Sequence, residues 1–458
     1  MRTWILPAGS AVPAVERRSE GALLLESPVV TPELIRSVAA SLKASRPGLF
    51  ALKTESILRA IEETVKEWSS TDYPGRREAE GAFRAMTGCP AVTAPFGVPL
   101  ESNTHGAVRE WLRAEVEPPE ALDGFVAVPG EPAYRLAGPS LAVFILPGNI
   151  PLVWLPAFYS CLLGRTPCLL KPGGDDPVTA SAFVSSLIRR APELASAIAV
   201  LPWKGGADDI ERVVLESAGV VVAWGGGEAV SSLARRILPG TELLAHGPAN
   251  AVGAVARESV NPGRLAQVAA DAARDTFLFD GRGCLSLSTL FVERGGLYET
   301  GEAVREIAKI FGKVAGELPP GRPSPDSASL VQTWRGRARA RELAGKGSML
   351  IASPGSLDWT VILDETIAFP PVPLYRTIWI HPVDSLDDIP GKVGGAGTIH
   401  ALAYAGPEAR RMKLAESMVS SGLTRVCAFG RLQAPPISWS GMGVSPFRRL
   451  LVKTVIEK

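Results

Sequence analysis

The sequence has few cysteines, almost no net charge and no long uninterrupted apolar run, and each shortage excludes a class of protein. Five cysteines in 458 residues, at irregular spacing, are too few for a disulfide framework or a zinc site. The 48 basic and 47 acidic side chains nearly cancel, so neither nucleic acid nor an anionic membrane surface is expected as the main partner. We therefore predict a protein of the reducing cytoplasm that holds no metal.

The stretch 136–164 carries no charged residue, yet it does not predict a membrane span. A spanning helix needs about 20 consecutive apolar residues whose backbone is satisfied internally. Prolines and polar turn residues interrupt this run: Pro139, Pro147, Gly148, Asn149, Pro151 and Pro156. We predict a buried strand, a sharp turn and a buried helix instead. The first residues also lack the apolar segment of a signal peptide, so none is expected.

The chain is long enough for two or three domains of α/β character. Residues 31–120 show helical spacing of apolar positions. From Leu141 onward, short apolar runs alternate with helices, which is the pattern of a parallel sheet covered on both faces. A second unit begins near His246. We expect a helical N-terminal region with a dinucleotide-binding domain in 1–243, a catalytic domain in 244–430 and a C-terminal segment in 431–458.

Cys284 lies in a glycine-flanked turn between a predicted helix and the predicted strand 285–292. A lone cysteine is often only a small core residue, as we expect for Cys161, Cys168 and Cys427. In a turn, however, a thiol can face a cleft, and the nearby Arg282 would favour the nucleophilic thiolate. Cys284 is therefore a candidate catalytic nucleophile.

Two further segments can serve a reaction at a carbonyl group. Pro147 and Asn149 follow an apolar strand; they form either an ordinary turn or a loop whose Asn149 amide donates to an oxyanion. The run Gly225, Gly226, Gly227 and Glu228 begins a helix after a valine-rich strand, where a backbone can approach a pyrophosphate. The match to GxGxxG is incomplete, because Val230 occupies the sixth position. Lys171 ends another strand and is either solvated or placed to hold a nucleotide ribose or phosphate.

In this order the segments resemble the aldehyde dehydrogenase superfamily, and within it the acyl-CoA reductases typified by the bacterial bioluminescence fatty-acid reductase. The resemblance covers about 136–295 and 396–458. It rests on the motifs Leu146 to Val153, Leu169 to Pro172, Trp224 to Val230, Phe279 to Ser286 and Trp439 to Gly443. It implies a Rossmann-type cofactor domain, an α/β catalytic domain and a closing oligomerisation strand at 452–456. A homo-oligomer is implied as well.

The resemblance also implies roles for single residues. Cys284 would hold the acyl group, Asn149 would stabilise the oxyanion, and Pro147, Lys171 and the glycine-rich run would bind the coenzyme. Hydrolytic members carry a glutamate that activates water, but the corresponding stretch here, 244–248, has His246 at that position. His246 is either structural or a proton relay. Glu365, in the stretch 364–367, would bind the nicotinamide ribose.

The expected activity is NADPH-dependent reduction of an acyl thioester, acyl-CoA or a carrier-bound acyl chain, to an aldehyde. NADP(H) is favoured over NAD(H) because Gly173 and Gly174 follow Lys171 and leave room and a cation for a 2′-phosphate, although Asp175 and Asp176 follow at once. Two alternatives stay open. One is an aldehyde dehydrogenase or acyl-phosphate reductase of the same superfamily, and the other is a non-catalytic scaffold subunit.

Overall fold

The computed structural model describes residues 1–21, 23–104, 106–130, 132–247, 249–366, 374–394, 398–441 and 443–457. The helices are α1 (Pro32–Ala44), α2 (Arg46–Ala51), α3 (Thr54–Ser69), α4 (Pro74–Thr87), α5 (Gly97–Glu101), α6 (Ala107–Glu115), α7 (Leu155–Leu163), α8 (Thr179–Arg190), α9 (Asp208–Ser217), α10 (Gly227–Arg236), α11 (Leu265–Phe277), α12 (Thr300–Glu317), α13 (Pro325–Leu343), α14 (Ile389–Val393), α15 (Glu408–Met418) and α16 (Pro446–Leu450). The strands are β1 (Val15–Glu20), β2 (Leu23–Pro28), β3 (Ala133–Ala137), β4 (Ala142–Ile145), β5 (Cys168–Lys171), β6 (Ile198–Val200), β7 (Val220–Trp224), β8 (Glu242–His246), β9 (Asn250–Val255), β10 (Leu287–Glu293), β11 (Ser348–Ala352), β12 (Thr360–Asp364), β13 (Thr377–Val383), β14 (Ile399–Ala405), β15 (Arg425–Cys427) and β16 (Val452–Ile456). Pro248, Ile367 and Met442, which belong to motifs singled out above, lie outside the described residues.

The chain forms two compact units, and each unit is built from separate stretches of the sequence. Unit 1 comprises Met1–Thr87, Phe96–Pro248 and Pro436–Lys458, and unit 2 comprises Gly88–Pro95 and Ala249–Pro435. A short piece of the N-terminal half therefore belongs to unit 2, and the C-terminal segment belongs to unit 1.

Unit 1 is built on a parallel sheet in the order β6-β5-β4-β7-β8. Buried residues of α1 and α9 cover one face, where Val38 packs in the same core cluster as Val143 and Val221. Helix α7 covers the opposite face, with the Phe158 ring edge-on to Phe144 at 6.1 Å between centroids. The predicted parallel sheet with helices on both faces is confirmed.

Side-chain oxygens accept hydrogen bonds from backbone amides at the beginnings of α1 and α8. The Thr31 hydroxyl accepts a hydrogen bond from the Leu34 amide at 3.2 Å and so caps α1. Helix α8 begins at Thr179, three residues after Asp176. The Asp176 carboxylate still accepts from the Thr179 amide, at 3.3 Å, and it does so from a buried position.

Two small antiparallel sheets complete unit 1. Strands β1 and β2 form a hairpin that the sequence pattern did not predict. Strand β16 pairs with β3 of the same chain, and all five of its residues are exposed. The apolar side chains of Val452, Val455 and Ile456 thus lie in solvent.

Unit 2 contains a sheet in the order β11-β12-β13-β10-β9-β14-β15, parallel except for its edge strand β11. Helices α11 and α12 pack against each other, with Phe277 edge-on to Phe311 at 5.2 Å between centroids. Helices α14 and α15 contribute Ile389 and Leu414 to a core cluster with Val252 of β9.

The uncharged stretch 136–164 forms strand β4, a turn and the buried helix α7, as predicted. Among the described helices, none is both long and apolar enough to cross a membrane.

Candidate active site

Cys284 lies in the turn that leads from α11 to β10, as the sequence predicted. Of the five cysteines, Cys284 is the exposed one. Cys161 and Cys168 are buried as expected, whereas Cys427 is only half-buried and Cys89 is buried. Exposure separates Cys284 from the others as a thiol that a substrate can reach.

The backbone before Cys284 adopts a rare conformation. Phe279, Asp280 and Gly281 have φ angles of 56°, 55° and 72°, all in the left-handed region. A non-glycine residue costs about 1–2 kcal/mol there, so two such residues in a row must be held by their surroundings. The Phe279 amide donates to the carbonyl oxygen of Thr93 at 2.8 Å, which ties the turn to the segment Gly88–Pro95.

A buried ion pair fixes the same turn from the other side. The Asp280 carboxylate accepts from Arg376 Nη1 at 3.1 Å and from the Gly321 amide at 3.1 Å. Arg376 is fully buried and also donates to the carbonyl oxygens of Leu318 and Asp358, each at 2.6 Å. The Asp280 carboxylate is thus held by donors from two distant segments, which restrain the shape of the turn.

The pKa of the Cys284 thiol differs from the expectation based on Arg282. Desolvation raises this pKa above the value of an ordinary cysteine, and the backbone amides of Cys284 and Leu285 oppose the rise. The charge of Arg282 acts instead on the buried Cys89. The thiolate population of Cys284 therefore increases as the pH rises, and backbone N–H groups are the donors that stabilise it.

In unit 1 the candidate coenzyme residues share one edge of the parallel sheet. Ile145 at the end of β4 pairs with Lys171 on one side and with Ala223 on the other. Trp224 pairs in turn with His246 at the end of β8. The loops that carry Asn149 and the glycine-rich run leave from these carboxyl strand ends, which is where open α/β sheets bind ligands.

Two glycines bring the loop after β4 and the loop after β5 into direct contact. A Cβ atom on Gly173 would lie 2.5 Å from the Cα atom of Gly148 and 2.6 Å from the carbonyl carbon of Pro147. Backbone thus meets backbone, and the loop after β5 defines the position of the loop that bears Asn149. The sequence indicated only that Gly173 leaves space for a 2′-phosphate. Its close packing against Gly148 was not predicted.

Replacing Gly173 with alanine is expected to push the Pro147–Asn149 loop out of place, because the new methyl group would meet rigid backbone. We expect a loss of about 1–3 kcal/mol in the free energy of unfolding, measured by urea denaturation. Gly174→Ala is the matched control, since no described residue other than its chain neighbours has an atom within 4 Å of its Cβ position. Equal denaturation midpoints for the two variants would contradict the close approach.

Lys171 is partly buried, and its Nζ lies 5.9 Å from the ring centroid of Trp203. Burial lowers the pKa of Lys171, and the negative charge of Glu211 acts in the opposite direction. The side chain is therefore a desolvated cation at the strand end, not a freely solvated one. A phosphate or a ribose hydroxyl would find a strong donor there.

Helix α10 begins at Gly227, with Gly226 as its N-cap. Among the described residues, apart from the chain neighbours and the backbone of the helix itself, no atom lies within 4 Å of the Cβ positions of Gly226 and Gly227, so the backbone there is open to a ligand. A cavity of about 500 Å³ adjoins this helix and is lined by Gly227, Glu228, Ser231, Ser232 and Arg235. A helix N-terminus with accessible amides fits the pyrophosphate of a dinucleotide.

His246 stacks on Trp224, with 4.4 Å between ring centroids and 5° between the planes. Burial, assisted by the positive charge of Arg449, lowers the pKa of His246 to about 4. The imidazole is therefore neutral near pH 7 and packs as an aromatic ring. This environment favours the structural alternative over the proton relay.

The role expected for Glu365 at the nicotinamide ribose stays a prediction. Glu365 directly follows β12, whose strand runs parallel to β13. Its carboxylate forms an exposed ion pair with Arg294 at 3.4 Å.

Within the described ranges, no group of three or more His, Cys, Asp or Glu side chains is arranged to hold a metal ion.

Solved structures with the same fold include aldehyde dehydrogenases. An indole-3-acetaldehyde dehydrogenase in complex with NAD+ superposes with a TM-score of 0.74 at 15% identity, covering 99% of this chain and 96% of that chain. Aldehyde dehydrogenase 21 from Physcomitrella patens, in complex with succinate, gives 0.72 at 14% identity, covering 99% and 98%. The fold is therefore the aldehyde dehydrogenase fold, with a cysteine in the helix-to-strand turn.

The particular family follows from the sequence comparisons. The family model "Acyl-CoA reductase (LuxC)" matches residues 49–453, and the chain belongs to this family of oxidoreductases. A long-chain acyl-protein thioester reductase of Aliivibrio fischeri is 23% identical over 412 residues, which cover 87% of this chain and 81% of that protein. A protein of the same description from Photorhabdus luminescens is 22% identical over 411 residues, with the same coverage. The resemblance predicted from the motifs is confirmed.

Proposed function

We propose that the protein reduces a long-chain acyl thioester to the aldehyde with NADPH, through an acyl group held on Cys284. The observation that carries the proposal is the exposed Cys284 thiol in a turn held by buried donors, with backbone N–H groups beside its sulfur. Support for the substrate class comes from the relatives, which are described as long-chain acyl-protein thioester reductases. The donor can be acyl-CoA or a carrier-bound acyl chain.

In the proposed reaction the Cys284 thiolate attacks the carbonyl carbon of the thioester. The bond to the donor sulfur breaks, and the donor leaves as a thiol after taking one proton. The coenzyme supplies a hydride to the carbonyl carbon when it is bound. The resulting thiohemiacetal loses the cysteine sulfur, which releases the aldehyde and restores the Cys284 thiolate for reprotonation.

Backbone amides and Asn149 are proposed to stabilise negative charge on the substrate oxygen. The backbone amides of Cys284 and Leu285 already act to lower the pKa of the thiol. Asn149 lies on a loop whose position the Gly148–Gly173 approach defines, so its amide would be held in advance of the reaction. A donor of this kind typically contributes about 10²–10³-fold in rate.

Hydrolysis of the acyl-enzyme is proposed to be suppressed. Where hydrolytic superfamily members are expected to carry a glutamate base, this chain has His246. With a pKa of about 4, the imidazole stacked on Trp224 is a weak base for water activation. The acyl group would then persist long enough for reduction.

The coenzyme is proposed to be NADP(H) in preference to NAD(H). The desolvated Lys171 offers a cation, and Gly174 has open space where a carboxylate would repel a 2′-phosphate. The open backbone of Gly226 and Gly227 is proposed to hold the pyrophosphate, with Gly225, Glu228 and Pro147 at its borders. These residues fit a dinucleotide in size and charge.

A homo-oligomer of the cytoplasm completes the proposal. Strand β16 offers exposed apolar side chains at Val452, Val455 and Ile456, which a second copy could cover. A reducing compartment would keep the exposed Cys284 thiol active.

The proposal is tested by incubating the protein with NADPH and acyl-CoAs of several chain lengths, with NADH in parallel. We expect coenzyme oxidation matched by aldehyde formation, and faster turnover with NADPH. Binding of 2′,5′-ADP tighter than that of 5′-AMP would check the coenzyme preference without turnover. Absence of both aldehyde and coenzyme oxidation with acyl-CoA and with acyl-carrier thioesters would overturn the proposal, and faster reduction of an acyl phosphate would favour the alternative reductase.

A further inference from the structure

In the segment that follows β15, the side chain of Gln433 forms hydrogen bonds with the cysteine turn and with the end of α11. Its Nε2 donates to Ser286 Oγ at 2.9 Å and to the carbonyl oxygen of Asp275 at 3.4 Å. Gln433 is 8% exposed and Ser286 is 4% exposed, so neither group exchanges this partner freely with water. The amide thus connects the end of α11 with the residue two positions after the thiol.

Gln433 also packs against the residue directly before Cys284. A Cβ atom on Gly283 would lie 2.9 Å from Gln433 Oε1 and 3.1 Å from Ser286 Oγ. The Ser286 amide donates to the carbonyl oxygen of Gly283 at 3.0 Å, which closes the turn around the thiol. Residues on both sides of Cys284 are therefore in contact with one glutamine amide.

The loop that carries Gln433 is itself anchored. The fully buried Asp275 carboxylate accepts from the Gly430 amide at 2.7 Å and from the Leu432 amide at 3.1 Å. Arg425 donates to the carbonyl oxygen of Leu432 at 2.9 Å and so holds the same loop from the strand side. A glutamine on such a loop has little freedom, which is what a group that positions another residue requires.

We propose that Gln433 is a positioning residue, which fixes the Cys284 turn through Ser286 and Gly283 so that the thiol and its neighbouring backbone amides keep one geometry. The proposal deepens the proposed function, because it rests on Cys284 as the nucleophile. Without the Gln433 amide, Ser286 loses its partner and the turn gains alternative conformations. A misplaced nucleophile lowers the rate of the chemical step more than it lowers binding.

The test combines steady-state kinetics with alkylation of Cys284 by iodoacetamide. Gln433→Met keeps the side-chain volume and removes the oxygen and the nitrogen of the amide. We expect kcat to fall about 10–100-fold, with KM little changed. The alkylation rate constant at about pH 8 should fall as well, because the backbone amides no longer stabilise the thiolate. Ser286→Ala should show the same effects, and the double variant should be no worse than the stronger single one.

Gln332→Ala is the control, because Gln332 is an exposed glutamine on α13. Additive effects of the Gln433 and Ser286 substitutions, or an unchanged alkylation rate in Gln433→Met, would overturn the positioning role. Alkylation does not depend on the reductase reaction. A protein that fails to reduce thioesters but shows the altered alkylation rates would thus refute the proposed function and keep the positioning role.

Discussion

Replacing Cys284 with alanine should lower thioester reduction by about 10⁴-fold or more, while binding of the coenzyme stays unchanged. The loss follows because the thiol is the group on which the acyl chain is proposed to be held, and no other exposed cysteine can replace it. The residues proposed to bind the coenzyme belong to unit 1, whereas Cys284 belongs to unit 2. Aldehyde formation and nucleotide binding by titration calorimetry measure the two effects separately.

Cys427→Ala serves as the control for this substitution, since Cys427 is half-buried on β15 and has no assigned role in the reaction. It should retain activity. Comparable turnover by the Cys284 and Cys427 variants would show that the acyl group is reduced without a covalent cysteine intermediate.

Replacing Arg376 with leucine should lower the free energy of unfolding by about 3–5 kcal/mol. The guanidinium is fully buried, pairs with Asp280 at 3.1 Å and satisfies two carbonyl oxygens, so its removal leaves a buried carboxylate without its cation. Asp280 has a left-handed φ angle, and its turn should lose its shape together with the ion pair. Urea denaturation followed by circular dichroism measures the change.

Arg339→Leu is the matched comparison, because Arg339 is 56% exposed and pairs with Glu342 one turn along α13. Removal of such a pair should cost no more than about 1 kcal/mol. Similar denaturation midpoints for the two variants would mean that the buried pair does not hold the cysteine turn.

The local pattern of apolar residues was sufficient to predict the parallel sheet of unit 1 and the helix-to-strand turn that contains Cys284. Short apolar runs between helices reveal buried parallel strands, because such strands are apolar on both faces. The thiol could be located because the helical spacing of α11 stops and a β-branched run begins within a few residues. The ordered set of motifs then identified the superfamily.

Contacts between side chains that are far apart in the sequence could not be predicted from local patterns. Arg376 pairs with Asp280 across 96 positions, and Gln433 reaches Ser286 across 147. Neither residue stands in a pattern that distinguishes it from an ordinary surface side chain. The left-handed turn could not be anticipated either, since Phe279 carries no local preference for that conformation.

One expectation was wrong because proximity in sequence was used in place of geometry. Arg282 was expected to favour the thiolate of Cys284, but its charge acts on Cys89, and desolvation raises the pKa of Cys284. The orientation of the turn decides which of the two thiols the cation affects.

The central claim is that Cys284 carries the acyl group, and intact-mass spectrometry tests it most directly. The protein is incubated with a long-chain acyl-CoA in the absence of coenzyme, and the mass is recorded before and after addition of NADPH. We predict one added acyl group, located by peptide mapping on the peptide that contains Cys284, and its loss as aldehyde once NADPH is added. An unmodified protein that still forms aldehyde with NADPH, or an acyl group on another residue, would contradict the account.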